Sequence, residues 1–531
     1  MSERQKLSGH KVTPGIWTLG LLAVALLATP GVWAQDTSTP PASGTPDATP
    51  QSQEPIPAYG QENPPPPVVE NPPLSGIDLP NVEPHAAPLS YIQPGATVSQ
   101  SLDTNPETSL RGQSAYSVSR AIGSVTLQRL WSHYDLALDY EGGAAYYSLR
   151  GEGFKALQQM DFNQKLTWKR GELNVRESFS YLPEGNFGGA YGSTGSQGVG
   201  SLGGTAFSSF WSGTAVGALG LAPRIMNVSI ADISENLTPK SSITAAGGYA
   251  FTHFYGNDFS TGTPFIGSGQ VSAQAGYNRL LTSHTQIALV YGYQGFDFSV
   301  TGTAFHSHII QAMYGHRISG RMDLLLGAGP QFTRIDVNCS LLDVLAGVPQ
   351  CSVNSSGLAT GTIPTTKIGV AAQARLRYKF TKTSMDLNYQ RFETNGSGLF
   401  LGSQSDIARL SADRPLSRVW SSFIDIGYAR NSRLETLSSA QQANCVFANQ
   451  PNPNNLPLCP GVDANNYSYG FAGGGLHRAF GRDFHAFFSY QFNELSFDHS
   501  FCGGLPVCSR ISNRQLVTFG LDWTPRPIRI D

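Results

Sequence analysis

Residues 483–493 read DFHAFFSYQFN, and this stretch decides the fold. Phe484, Ala486, Phe488, Tyr490 and Phe492 share one parity, while Asp483, His485, Ser489, Gln491 and Asn493 share the other. Successive side chains of a β-strand point to opposite faces, so the stretch predicts a strand with one apolar and one polar face. The same pattern recurs upstream. Tyr134, Leu136, Leu138, Tyr140 and Ala144 alternate with Asp135, Asp139 and Glu141. Met322, Leu324, Leu326, Ala328, Pro330 and Phe332 alternate with Asp323, Gln331 and Thr333. Val370, Ala372, Ala374, Leu376, Tyr378 and Phe380 alternate with Gln373, Arg375, Arg377 and Lys379.

Composition says what the apolar faces meet. Of 531 residues only 14% are charged, against about 25% in a soluble domain. Gly (58), Phe (28) and Tyr (21) are abundant, yet hydrophobic residues reach just 40%, too few for a bundle of membrane helices. A closed β-barrel in lipid meets both conditions, because each strand gives alternate residues to lipid and to a polar lumen. Lys and Arg total 35 against 37 Asp and Glu, so there is no basic excess and nucleic acid is not an expected partner.

The N-terminus indicates export. Arg4, Lys6 and Lys11 precede an apolar run from Ile16 to Ala28, and Val32, Trp33 and Ala34 give small residues at the −3 and −1 positions before Gln35. This predicts a signal peptide over 1–34, cut between Ala34 and Gln35. Residues 35–95 hold 16 of the 34 prolines, including Pro64 to Pro67. Such a segment buries too little apolar surface to offset its ordering entropy, so a disordered Pro-rich periplasmic tail is expected there, with a cell-wall or periplasmic partner as its candidate contact.

Connections between strands alternate in length. Short polar turns at Trp131 to His133, Lys169 to Gly171, Pro239-Lys240, Thr282-Ser283, Ser319-Gly320, Thr381-Lys382, Pro415-Leu416 and Gly481-Arg482 separate longer linkers, of which 183–225 is the longest. Short periplasmic turns and long external loops are the asymmetry of outer-membrane barrels. The six cysteines fall in pairs within single long linkers: Cys339 and Cys351, Cys445 and Cys459, Cys502 and Cys508. Three intraloop disulfides are expected in an exported chain. From Ser117 to Thr524 the alternation gives an odd number of strands. Even parity then requires one more, for which residues 96–105 are the candidate, for about 18 in all with 16 as the fallback. Glu177 conflicts with the pattern, since it shares its parity with Leu173, Val175, Phe179 and Tyr181.

Over residues 96–531 the chain resembles a Gram-negative outer-membrane β-barrel of the porin-like kind. The resemblance rests on this architecture and on Val517, Phe519, Leu521 and Trp523, which alternate as in the C-terminal signal read by the barrel-assembly machinery. It implies an antiparallel up-and-down transmembrane barrel among outer-membrane lipid and lipopolysaccharide, compatible with oligomers, and no cofactor. By position 183–225 corresponds to the third external loop, which narrows the channel in general porins. The expected function is passive diffusion of small hydrophilic solutes. Asp135, Asp139, Glu141, Asp323, Arg375, Arg377 and Lys379 are the expected pore-lining charges, either setting a field or pairing across the lumen to brace the wall. The alternatives are a non-conducting structural barrel or polysaccharide-export accessory, and a barrel-embedded hydrolase. No catalytic constellation supports the last: His306 and His308 share a face without a third metal ligand, and a rim or lumen role is expected for them.

Overall fold

A computed structural model describes residues 73–75, 90–105, 115–148, 153–182, 223–255, 266–298, 303–339, 341–345, 347–355, 357–396, 400–434, 464–499 and 510–530. The expected signal peptide with Ala34 and Gln35, most of the Pro-rich tail, Cys445, Cys459, Cys502, Cys508 and residues 183–222 of the longest loop lie outside the described residues.

Eighteen long strands form the wall. They are β1 (Tyr91–Asp103), β2 (Tyr116–Leu130), β3 (Tyr134–Tyr147), β4 (Gly153–Trp168), β5 (Gly171–Leu182) and β6 (Arg224–Thr238). Next come β7 (Ser241–Phe254), β8 (Ser268–Thr282), β9 (Thr285–Phe298), β10 (Thr303–Ser319), β11 (Met322–Asn338) and β12 (Thr362–Lys379). The last six are β13 (Ser384–Thr394), β14 (Ser403–Pro415), β15 (Trp420–Arg433), β16 (Asn466–Phe480), β17 (Phe484–Phe497) and β18 (Ile511–Trp523). Each pairs antiparallel with its sequence neighbours, and β1 closes the ring on β18 from Ala96↔Trp523 to Asp103↔Leu516. Closure satisfies every strand edge within the protein, which a sheet in hydrocarbon requires. The first strand starts at Tyr91, upstream of the expected residue 96. The residues after Trp523 extend the seam: Ile528–Arg529 pairs with Tyr91 and Ile92, and Ile530 N donates to Ser90 O at 3.0 Å.

The parity pattern separates two surfaces. Val98, Leu102, Val271, Leu289, Val370, Ile424, Tyr428 and Leu521 are exposed on the outer face, while their strand neighbours of opposite parity are buried or half-buried inside. At the short-turn end Trp131, Tyr134, Trp168, Phe380, Phe480, Phe484 and Trp523 are all exposed. They form the aromatic girdle that marks a membrane–water boundary. Arg129 lies over the Trp131 ring at 4.9 Å and Arg478 over Trp420 at 5.3 Å, placing cations at that boundary. The fold is that of an outer-membrane barrel, with its short turns gathered at one end.

Glu177 does face outward, and cross-strand neighbours explain how. Asn227 Nδ2 donates to its Oε1 at 2.7 Å and Ser229 Oγ to its Oε2 at 2.9 Å, both from β6. His306 and His308 also face outward, on the parity of Ile310 and Tyr314, near the loop end of β10. Their Nδ1 atoms bond the hydroxyls of Tyr293 (2.9 Å) and Tyr291 (2.8 Å). The rim placement expected for them is found; a lumen placement is not. Of the three expected disulfides, Cys339–Cys351 is formed, with Cα atoms 5.6 Å apart. It closes a loop carrying the short helix Leu341–Leu345 and the hairpin of Ser352–Val353 with Ala359–Thr360.

Candidate functional site

The alternation turns a polar surface into the interior of the ring. All seven charges expected to line it fall on inward parity: Asp135, Asp139 and Glu141 on β3, Asp323 on β11, and Arg375, Arg377 and Lys379 on β12. Inward parity also brings in Asp161 of β4 and Asp522 of β18. Asp161 is the direct cross-strand partner of Asp139. Three of these acids are held by neutral donors. Thr126 Oγ1 donates to Asp139 (3.1 Å), Gln159 Nε2 to Asp161 (3.1 Å) and Thr97 Oγ1 to Asp522 (3.0 Å). Among the described residues no Lys or Arg lies within ion-pair distance of Asp139, Glu141, Asp161 or Asp522.

The far wall is arranged differently. Arg375 Nε donates to Asp386 at 2.8 Å, and Arg409 grips Asp425 with Nε at 2.9 Å and Nη2 at 2.7 Å. Arg317 pairs with Asp323 at 3.5 Å, and on β5 and β6 Arg176 pairs with Asp232 at 3.6 Å. Bidentate guanidinium–carboxylate bonds of this kind are charge-assisted and geometrically fixed. Arg377 and Lys379 continue the β12 row towards the periplasmic mouth without a carboxylate at ion-pair distance among the described residues. In a ring of 18 strands β3 and β12 stand half a turn apart, so acids face cations across the lumen.

At the loop end the lumen narrows on apolar side chains. Phe296, Phe298, Phe305, Ile335 and Val337 of the inner wall pack with Leu401 and Leu434. Both ends of the connection after β13 turn inward: Leu401 joins this cluster, and Asn395 Nδ2 donates to Ser268 Oγ of β8 at 2.9 Å. Two glycines allow it. Gly396 and Gly402 have φ of 74° and 82°, a region costly for other residues. A Cβ on Gly402 would stand 2.5 Å from the Phe305 ring. So among the described residues Asn395 and Leu401 turn into the lumen, from the two ends of what the sequence marks only as one more long connection.

No protein-family model matches the chain, and no curated protein matches it. Among solved structures, Pseudomonas aeruginosa OccK2 (OpdF) is 9% identical, with 82% of this chain and 97% of that one covered and a TM-score of 0.36. OccK5 (OpdH) of the same organism is 12% identical over 83% and 100%, also with a TM-score of 0.36. A BenF-like porin from Pseudomonas fluorescens Pf-5 is 8% identical over 83% and 99%, with a TM-score of 0.36. The assignment of the fold rests on the closed barrel itself.

Proposed function

We propose that the barrel is an outer-membrane channel for passive diffusion of small hydrophilic solutes, with cations favoured over anions. The observation that carries this reading is the group Asp139, Glu141, Asp161 and Asp522 on the inner faces of β3, β4 and β18, where among the described residues no Lys or Arg stands at ion-pair distance. Fixed charge of one sign along a pore raises the local concentration of the opposite ion. The Arg–Asp pairs of β12–β15 cancel locally and serve to brace the wall. Single-channel recording in planar bilayers tests the proposal: discrete openings and a reversal potential of cation-selective sign are expected. Folded, heat-modifiable protein that never opens refutes it.

The remaining parts of the reading follow from the same topology. Residues 1–34 act as the signal peptide, and the tail after Gln35 lies in the periplasm, where N-terminal sequencing of the mature protein and protease access to intact cells check both. Cys445–Cys459 and Cys502–Cys508 close external loops as Cys339–Cys351 does, which peptide mapping under non-reducing conditions checks. Insertion proceeds through the barrel-assembly machinery into a leaflet containing lipopolysaccharide.

A further inference from the structure

Leu74 and Ser75 precede the barrel in sequence, yet they sit inside it. Ser75 is 2% exposed and its polar atoms are all taken by inward side chains of β7 and β8. Its N–H donates to Asn278 Oδ1 at 2.8 Å. Its carbonyl accepts from Gln274 Nε2 at 2.7 Å and from Thr244 Oγ1 at 3.0 Å. Its hydroxyl bonds Thr244 Oγ1 and Asn278 Nδ2. Leu74 packs on Ala288, Val290 and Met313, beside Leu325. Those four side chains all have inward parity, and without Leu74 they would turn an apolar surface towards a water-filled lumen.

The wall is shaped for this segment. Gly276 stands opposite Thr244 in the register, and a Cβ on it would lie 2.2 Å from the Ser75 Cβ. A Cβ on Gly315, opposite Leu325, would lie 2.7 Å from a Leu74 methyl. Two inward glycines therefore leave open the space that the two residues occupy. Thr244 is near the start of β7, just above a periplasmic turn, so the seat is in the periplasmic half.

We propose that this patch, spanning β7 to β11, is a binding site for a short peptide turn, and that its ligand is the chain's own Leu74–Ser75. The segment is a tethered ligand that narrows the periplasmic half of the channel. The idea rests on the channel reading for its effect on conduction, but not for the seating. Polar grip on one residue's backbone plus an apolar socket for its neighbour is the general logic of peptide recognition. Even a single extended strand takes roughly 4.7 Å by 10 Å in cross-section, and a turn such as Leu74–Ser75 is no narrower, so it fills a large share of a lumen of this strand number.

Two measurements on the full-length protein test it. Ser75→Cys with Thr244→Cys is oxidised, and peptide mass mapping looks for a link between positions 75 and 244, whose side-chain oxygens are in contact. Leu74→Asp, which leaves the barrel wall untouched, is recorded beside wild type in planar bilayers. Expected are a high-yield link and a conductance in Leu74→Asp about twofold above wild type, from the cross-section freed. Gly276→Leu, which fills the seat from the wall side, is expected to raise conductance likewise and to suppress the link in the cysteine background. No link, or identical conductance in wild type and Leu74→Asp, overturns the proposal. A link with no openings in any form removes the channel reading while the seat stands.

Discussion

Two arcs of the inner wall obey the same alternation yet hold their charges differently. Across β12–β15 carboxylates meet guanidiniums at hydrogen-bond distance, as in Arg375–Asp386 and Arg409–Asp425. Across β18 and β1–β4 Asp139, Asp161 and Asp522 are held by Thr and Gln donors instead. A paired arc spends its charge on holding the wall together; an acidic arc keeps its charge for whatever enters the lumen. The difference teaches that counting inward charges says little about selectivity until their partners are known. The seam between β1 and β18 combines both. Arg514 Nε donates to both oxygens of Asp103 at 2.9 Å, with Nη2 bonding Oδ2 as well, and the two side chains are 1% and 0% exposed.

The seam pair gives the largest expected effect. Arg514→Ala leaves the Asp103 carboxylate buried without its cation, and such losses cost about 3–5 kcal/mol. Denaturant unfolding in detergent should show that drop, with Asp103→Asn/Arg514→Gln, which removes both charges, falling clearly less. An equal loss in the two variants would mean the pair acts through shape alone.

Next comes the acidic arc. Asp139→Asn, Glu141→Gln and Asp161→Asn together should abolish the cation preference while leaving unfolding unchanged or slightly harder. Each unit charge near a passing ion in watery surroundings is worth about 1 kcal/mol, a factor of roughly five in permeability ratio. Reversal potentials under a salt gradient measure it. A preference that survives all three changes would move the selectivity elsewhere, with Asp522 the next candidate.

Much of this molecule can be read from residue order because a barrel wall is a periodic object. Parity alone places Asp135, Asp139, Glu141, Asp323, Arg375, Arg377 and Lys379 inside, and even-number closure requires a strand ahead of Ser117. Register is what parity does not carry. That Glu177 meets Asn227 and Ser229, or that Asp139 meets Asp161, depends on how far β5 and β6, or β3 and β4, slide past one another. The outward position of His306 and His308 was legible, since Ile310 and Tyr314 share their parity. The inward turn of Asn395 and Leu401 had a weaker sign: Gly396 and Gly402 bracket the apolar pair Phe400-Leu401. Leu74–Ser75 had none. A Pro-rich composition describes a segment as a whole and is silent on two residues whose contacts lie on strands far along the chain.

The smallest effect sharpens the comparison from the other side. Arg375 and Asp386 are 26% and 29% exposed, so water already screens them. Arg375→Ala should lower stability by only about 0.2–1 kcal/mol, as water-exposed pairs do. Its effect on permeation should be larger in proportion, because it frees the Asp386 carboxylate on the arc facing the acidic one. The reversal potential should therefore shift further towards cation selectivity while the unfolding midpoint barely moves. A large stability loss with no shift in selectivity would show that this arc excludes water and ions alike, and the paired charges would then be core rather than channel lining.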